Sequence, residues 1–211
     1  MPASISDADF TLSEEQKQHF LQHGFVKISS CFTRKQAEDF TSTMWTRLGM
    51  SPTDKTTWIE ERTNMPWHTH VPVSSFSPKA WSAMCQLLGG EERISEHMNF
   101  RSWSDGFIVN LGKEEYDANG DMGVKEMREL DGWHNDGDFF VHFLDSPEQA
   151  LLVIPLWSDS MYFLDQYVSF SVRVSKFPQN LLACKDFLGV KFSLRALEIL
   201  FASLSLLFNS C

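Results

Sequence analysis

The chain has 211 residues, room for one substantial domain and too few for two. With 43% hydrophobic, 13% aromatic and 22% charged residues, it can build a packed core and is not a disordered sequence. A formal net charge of -10, with no basic stripe, argues against a nucleic-acid partner, whose phosphates need clustered Lys and Arg.

Cys31, Cys85, Cys184 and Cys211 are scattered, with no Cys-x-x-Cys pair. Four thiols allow two disulfides, but a chain of this size does not need them, and reduced thiols in a cytoplasmic protein are the expectation. Residues 1 to 10 lack a basic segment followed by an apolar run, so no signal peptide is expected.

In chain order, Ser13 followed by Glu14 and Glu15 caps a first helix, with Phe20 and Leu21 on its apolar face and Gly24 as its stop. Phe25-Val26-Lys27-Ile28 alternates as a short strand. Thr33 opens a second helix, in which Ala37, Phe40, Met44 and Trp45 recur at helical spacing. Residues 49 to 78, rich in Pro, Thr, Ser and Trp and without a period, read as one long irregular loop, a length that often carries function. A helix is expected over Ala80 to Leu88, ended by Gly89-Gly90, and a strand over Phe107 to Leu111. Residues 114 to 130 are acidic and Gly-punctuated, a loop or short helix over a site. Trp133 to Phe143 and Ala150 to Trp157 read as two strands joined through Ser146-Pro147-Glu148.

After Asp159 the character changes. Residues 160 to 211 carry five basic residues against three acids, so the negative balance lies entirely in residues 1 to 159. The tail has no histidine and one glycine, Gly189. Val190, Leu194, Leu197, Phe201, Leu204 and Phe208 recur in steps of four and three, which predicts an amphipathic helix over 190–208. Its charge-free stretch, Ile199 to Phe208, is too short for a membrane span, which needs about 20 residues. The expected division is therefore residues 1–159 and an atypical tail, 160–211.

The chemistry concentrates in Trp133-His134-Asn135-Asp136-Gly137. On a strand, residues two apart point to the same side, so the His134 imidazole and the Asp136 carboxylate can grip one face of a single ion. Non-haem Fe(II) is held by two histidines and one carboxylate, with the other positions open. Alone, a His-x-Asp is as easily a hydrogen-bonded pair. The surroundings favour the metal: an aromatic strand, Phe139 to Phe143, and then Leu151 to Trp157, ending at Ser158-Asp159.

Three features together resemble the phytanoyl-CoA dioxygenase-like branch of the Fe(II) and 2-oxoglutarate-dependent oxygenases. They are the opening Leu-Ser-Glu-Glu-Gln with His-Gly-Phe-Val-Lys-Ile, the strand from Phe107 to Gly112, and Trp-His-x-Asp-Gly followed by a hydrophobic strand ending near a Trp and an Asp. The resemblance covers about Leu12 to Asp159 and rests on the order of the motifs. It implies a mainly β fold with flanking helices (α+β), a double-stranded β-helix or jelly roll. It also implies Fe(II) and the cosubstrate 2-oxoglutarate, with hydroxylation of a small or medium apolar metabolite. His134 and Asp136 match the metal ligands. Asn110 and Trp157 are candidates for contacting the cosubstrate or walling its pocket, or else a backbone-satisfying asparagine and a core aromatic.

The family's distal histidine and the cation that pairs with 2-oxoglutarate have no counterpart in the expected order. After Asp136 the single histidine is His142, on the same predicted strand. His68 and His70 precede the metal loop; joined to His134 and Asp136 they would form a zinc site of unfamiliar order. The expectation is a jelly roll with its second half replaced, inactive or weakly active. The alternative is a non-catalytic, truncated jelly-roll binding or remnant protein.

Overall fold

The computed structural model describes residues 9–60, 62–111 and 151–158, and the backbone of three strands at 170–172, 188–190 and 199–202. Helix α1, Glu14–His23, opens with a reciprocal capping box. Ser13 Oγ accepts from the Gln16 amide at 3.1 Å, and Gln16 Oε1 accepts from the Ser13 amide at 2.9 Å. The helix closes at Gly24, whose φ of 78° is left-handed and whose N–H reaches the Phe20 carbonyl. Strand β1, Phe25–Ile28, follows directly and buries Phe25, Val26 and Ile28.

Helix α2, Arg34–Thr41, begins with a second capping box between Thr33 and Gln36. The expected single helix breaks here. Thr41 Oγ1 donates to the Ala37 carbonyl and Ser42 Oγ to the Asp39 carbonyl, local bonds that compete with the helical ladder. A short helix α3, Met44–Leu48, resumes and ends at Gly49, again with a left-handed φ.

The stretch 49–78 is more ordered than its composition suggests. It contains strand β2, Arg62–Asn64, strand β3, His70–Pro72, and helix α4, Val73–Phe76. Helix α5, Pro78–Leu88, starts with proline at its first turn, buries Ala80, Ala83 and Met84, and ends at Gly89, close to expectation. A short helix α6, Met98–Arg101, leads into strand β4, Ser102–Ser104, which pairs antiparallel with β3. Strand β5, Ile108–Asn110, pairs with β2.

Strand β6, Leu152–Pro155, falls within the expected Ala150 to Trp157. Strands β7, Phe170–Val172, and β8, Leu188–Val190, pair with each other. Strand β9, Ile199–Ala202, lies between β1 and β6 in a three-stranded antiparallel sheet. This corrects the helix expected over 190–208 at every residue described there. A charge-free run from Ile199 onward satisfies the strand and helix periods alike, and here long-range pairing decides between them. It also ties part of the atypical tail to the opening strand of the chain.

The described residues therefore form a mixed α and β fold of helices and small antiparallel sheets. The main core joins Leu12, Phe20, Val26, Ile28 and Phe32 to Ala80, Ala83 and Trp103; a smaller cluster holds Met65, Phe107 and Val109. Phe40 and Trp157 pack against both clusters and weld them together. No disulfide joins Cys31 and Cys85, and Cys184 and Cys211 lie outside the described residues. Among the described residues no helix is long and apolar enough to cross a membrane.

Candidate functional site

His134 and Asp136, the metal candidates, lie outside the described residues, as do His142 and Trp133. The segment that carries them leaves β5 at one end and returns at Leu151, just before β6. Of the two cosubstrate candidates, Asn110 ends β5 and Trp157 follows β6, and the fold treats them differently.

Trp157, just past β6, is half-buried in an aromatic cluster. Its ring centroid lies 4.8 Å from Phe32, 4.9 Å from Phe40, 5.9 Å from Phe76 and 6.2 Å from Phe107. Several of these rings meet edge-on, the arrangement their quadrupoles prefer. Trp157 thus serves as a core aromatic. Asn110 is exposed at the end of β5, opposite Arg62, while its neighbour Val109 is buried, so it is not a buried asparagine.

A polar clamp that sequence reasoning missed lies beside these strands. Asp105 follows β4 and is 6% exposed. Its Oδ1 accepts from the amides of His68, at 2.6 Å, and Thr69, at 2.8 Å. Arg47, on α3, donates to the Asp105 carbonyl at 2.9 Å and to Oδ2 at 3.0 Å, and also holds the Pro66 carbonyl. Burial by itself would raise the Asp105 carboxyl. The two amides and the guanidinium outweigh it and hold the group below its ordinary range. One carboxylate thereby pins α3, the 66–69 segment and the exit of β4. No spacing signals this, because Arg47 and Asp105 stand 58 residues apart.

The clamp forms one wall of an open groove of about 370 Å³, lined by Arg47, Ile59, Glu60, Met65, Pro66 and His68 among others. A volume of this size suits a small ligand, and apart from Arg47 and Leu48 its lining falls in the stretch 49–78, whose length as a loop pointed to function. Neither Asn110 nor Trp157 lines it.

His68 and His70 diverge. His68 is largely exposed, with Nδ1 3.9 Å from Asp105 Oδ2, outside hydrogen-bond range. His70 Nδ1 pairs with Ser102 Oγ at 3.0 Å. Because that hydroxyl donates to the Met98 carbonyl, Nδ1–H is the donor and the lone pair lies on Nε2. That Nε2 is buried and has no partner among the described residues. Among the described residues no three His, Cys, Asp or Glu side chains are grouped so as to hold a metal ion.

No family model matches the chain, and neither a curated protein nor a solved structure does.

Proposed function

We propose that this chain is a phytanoyl-CoA dioxygenase-like member of the Fe(II) and 2-oxoglutarate-dependent oxygenases, with a half-complete metal site that leaves it inactive or nearly so. One observation carries the reading: Trp133-His134-Asn135-Asp136-Gly137, between an apolar strand ending at Asn110 and another starting at Leu152. The capped helix α1 running directly into β1, and the return to β6, keep the order that the family's motifs require. The small antiparallel sheets are compatible with a jelly roll, and the groove beside Arg47 and His68 offers a small or medium apolar metabolite a site of suitable size.

The donor set fits iron only in part. His134 and Asp136 would supply one imidazole nitrogen and one carboxylate oxygen, where the site requires a second imidazole. No histidine lies in residues 143 to 211, where the family's order would place it. No reaction step is therefore assigned to this chain. What its residues would do is bind: His134 and Asp136 would hold a divalent ion weakly, and the open groove would take a small ligand.

The second reading, a non-catalytic binding or remnant protein, is favoured by strand β9. The tail that lacks the distal histidine nevertheless contributes the central strand between β1 and β6. The test is anaerobic Fe(II) binding with and without 2-oxoglutarate. Weak binding that is lost in His134→Ala supports the half site. No binding supports the remnant reading. Zinc bound through His68 and His70 would displace both.

A further inference from the structure

Helix α1 presents His19 and His23, four residues apart and hence one turn apart on a single face. Their ring centroids lie 4.5 Å apart, with planes inclined by 43°. Phe25 backs the pair, meeting His19 edge-on at 4.7 Å and His23 at 6.3 Å. Both rings are half-buried, and neither has a hydrogen-bond or ion-pair partner among the described residues.

Burial, and then the neighbouring His23, lower the His19 pKa despite the opposing charge of Glu15. Imidazole binds metal through a neutral ring nitrogen, and each ring here has nitrogens that no described residue occupies. The location also suits a cation. His23 is the last residue of α1, where the unpaired carbonyl ends carry partial negative charge.

We propose that His19 and His23 form a chelating site for a divalent transition-metal ion such as zinc, nickel or copper(II), one ring nitrogen from each side chain binding and water completing the shell. Two histidines at i and i+4 are the arrangement by which a helix presents both imidazoles to one zinc ion. Metal–nitrogen bonds of about 2.0–2.1 Å need donor nitrogens about 3 Å apart, within reach of rings so placed. Calcium and magnesium are disfavoured, because the pair offers no oxygen. Glu15, one turn further along the same face, lies where its charge favours a bound cation. The site is independent of His134 and Asp136.

The test titrates zinc and nickel into the full-length chain at neutral pH by calorimetry, in the wild type and in His134→Ala, each with and without His19→Gln or His23→Gln. The expected result is a one-to-one site in His134→Ala, and the same site beside any weaker binding at His134 and Asp136 in the wild type; either Gln substitution weakens it about tenfold or more, since even losing an outer partner of a ligand costs that much. The idea is overturned if the wild type binds neither ion, if both Gln variants bind unchanged, or if binding disappears with His134→Ala alone. Should a Gln variant fail to fold, copper(II) added to the unmutated chain decides: broadening of the His19 and His23 ring resonances supports the site, and broadening confined to other histidines overturns it.

Discussion

Replacing Asp105 by alanine removes the carboxylate that pins α3 and the 66–69 segment to the exit of β4. It strands the amides of His68 and Thr69 and leaves Arg47 without its counter-charge. Solvent compensates poorly, because the two side chains are only 9% and 17% exposed. Removing one partner of such a pair costs about 3–5 kcal/mol. Asp105→Asn keeps an oxygen for the two amides but loses the charge and puts an amide nitrogen, a donor, where Oδ2 accepted from Arg47, a cost of about 2 kcal/mol. Urea denaturation at neutral pH reads both. The pH dependence supplies an independent check. The folded carboxyl titrates below its ordinary value of 3.8, so its stabilising contribution is complete above that value and is lost as pH falls through the folded pKa. The gap between wild type and Asp105→Asn should therefore hold from neutral pH down to about 4 and close in stronger acid. A cost within about 1 kcal/mol for Asp105→Ala, or a gap indifferent to acid, would refute the clamp.

Other perturbations probe other parts of the fold. Trp157→Ala, which empties the centre of the aromatic cluster, should cost about 3 kcal/mol in chemical denaturation; a negligible loss would mean the ring is not a core element. Gly24→Ala forces a side chain into a left-handed C-cap and should cost about 1 kcal/mol, as should Ser13→Ala at the opposite end of α1, both read from thermal unfolding. Truncation after Ser158 deletes β9 and leaves β1 and β6 without their shared neighbour, so the shortened chain should aggregate on size-exclusion chromatography. A monodisperse, folded truncation would show that β9 is dispensable.

Local signals were legible in the sequence. The caps at Ser13 and Thr33, the stop at Gly24 and the end of α5 at Gly89 each depend on residues a few positions apart, and each forms where expected; the reciprocal bonds from Gln16 and Gln36 and the proline start of α5 come from the structure. Long-range pairing was not legible. Strands β2 and β3 are three residues each and exist because β5 and β4 pair with them, which no periodicity in 49–78 announces. The break after Thr41 turns on side-chain hydroxyls taking helix carbonyls, within a pattern whose apolar spacing runs through without interruption. Ile199–Ala202 fits helix and strand alike until β1 and β6 claim it. Of the candidate site, the pair His134 and Asp136 could be singled out because the two residues stand two apart in the sequence. The Arg47–Asp105 clamp could not, because it is assembled from separate elements.

The most direct measurement is anaerobic Fe(II) titration of the full chain with and without 2-oxoglutarate, followed by calorimetry and by the visible charge-transfer band of the iron–oxo-acid chelate. A half-complete site should give weak Fe(II) binding, abolished by His134→Ala and by Asp136→Ala, with no band on adding 2-oxoglutarate. Tight binding with a strong band that His134→Ala removes would contradict it, and would mean that the chain supplies a third ligand and a cosubstrate cation after all.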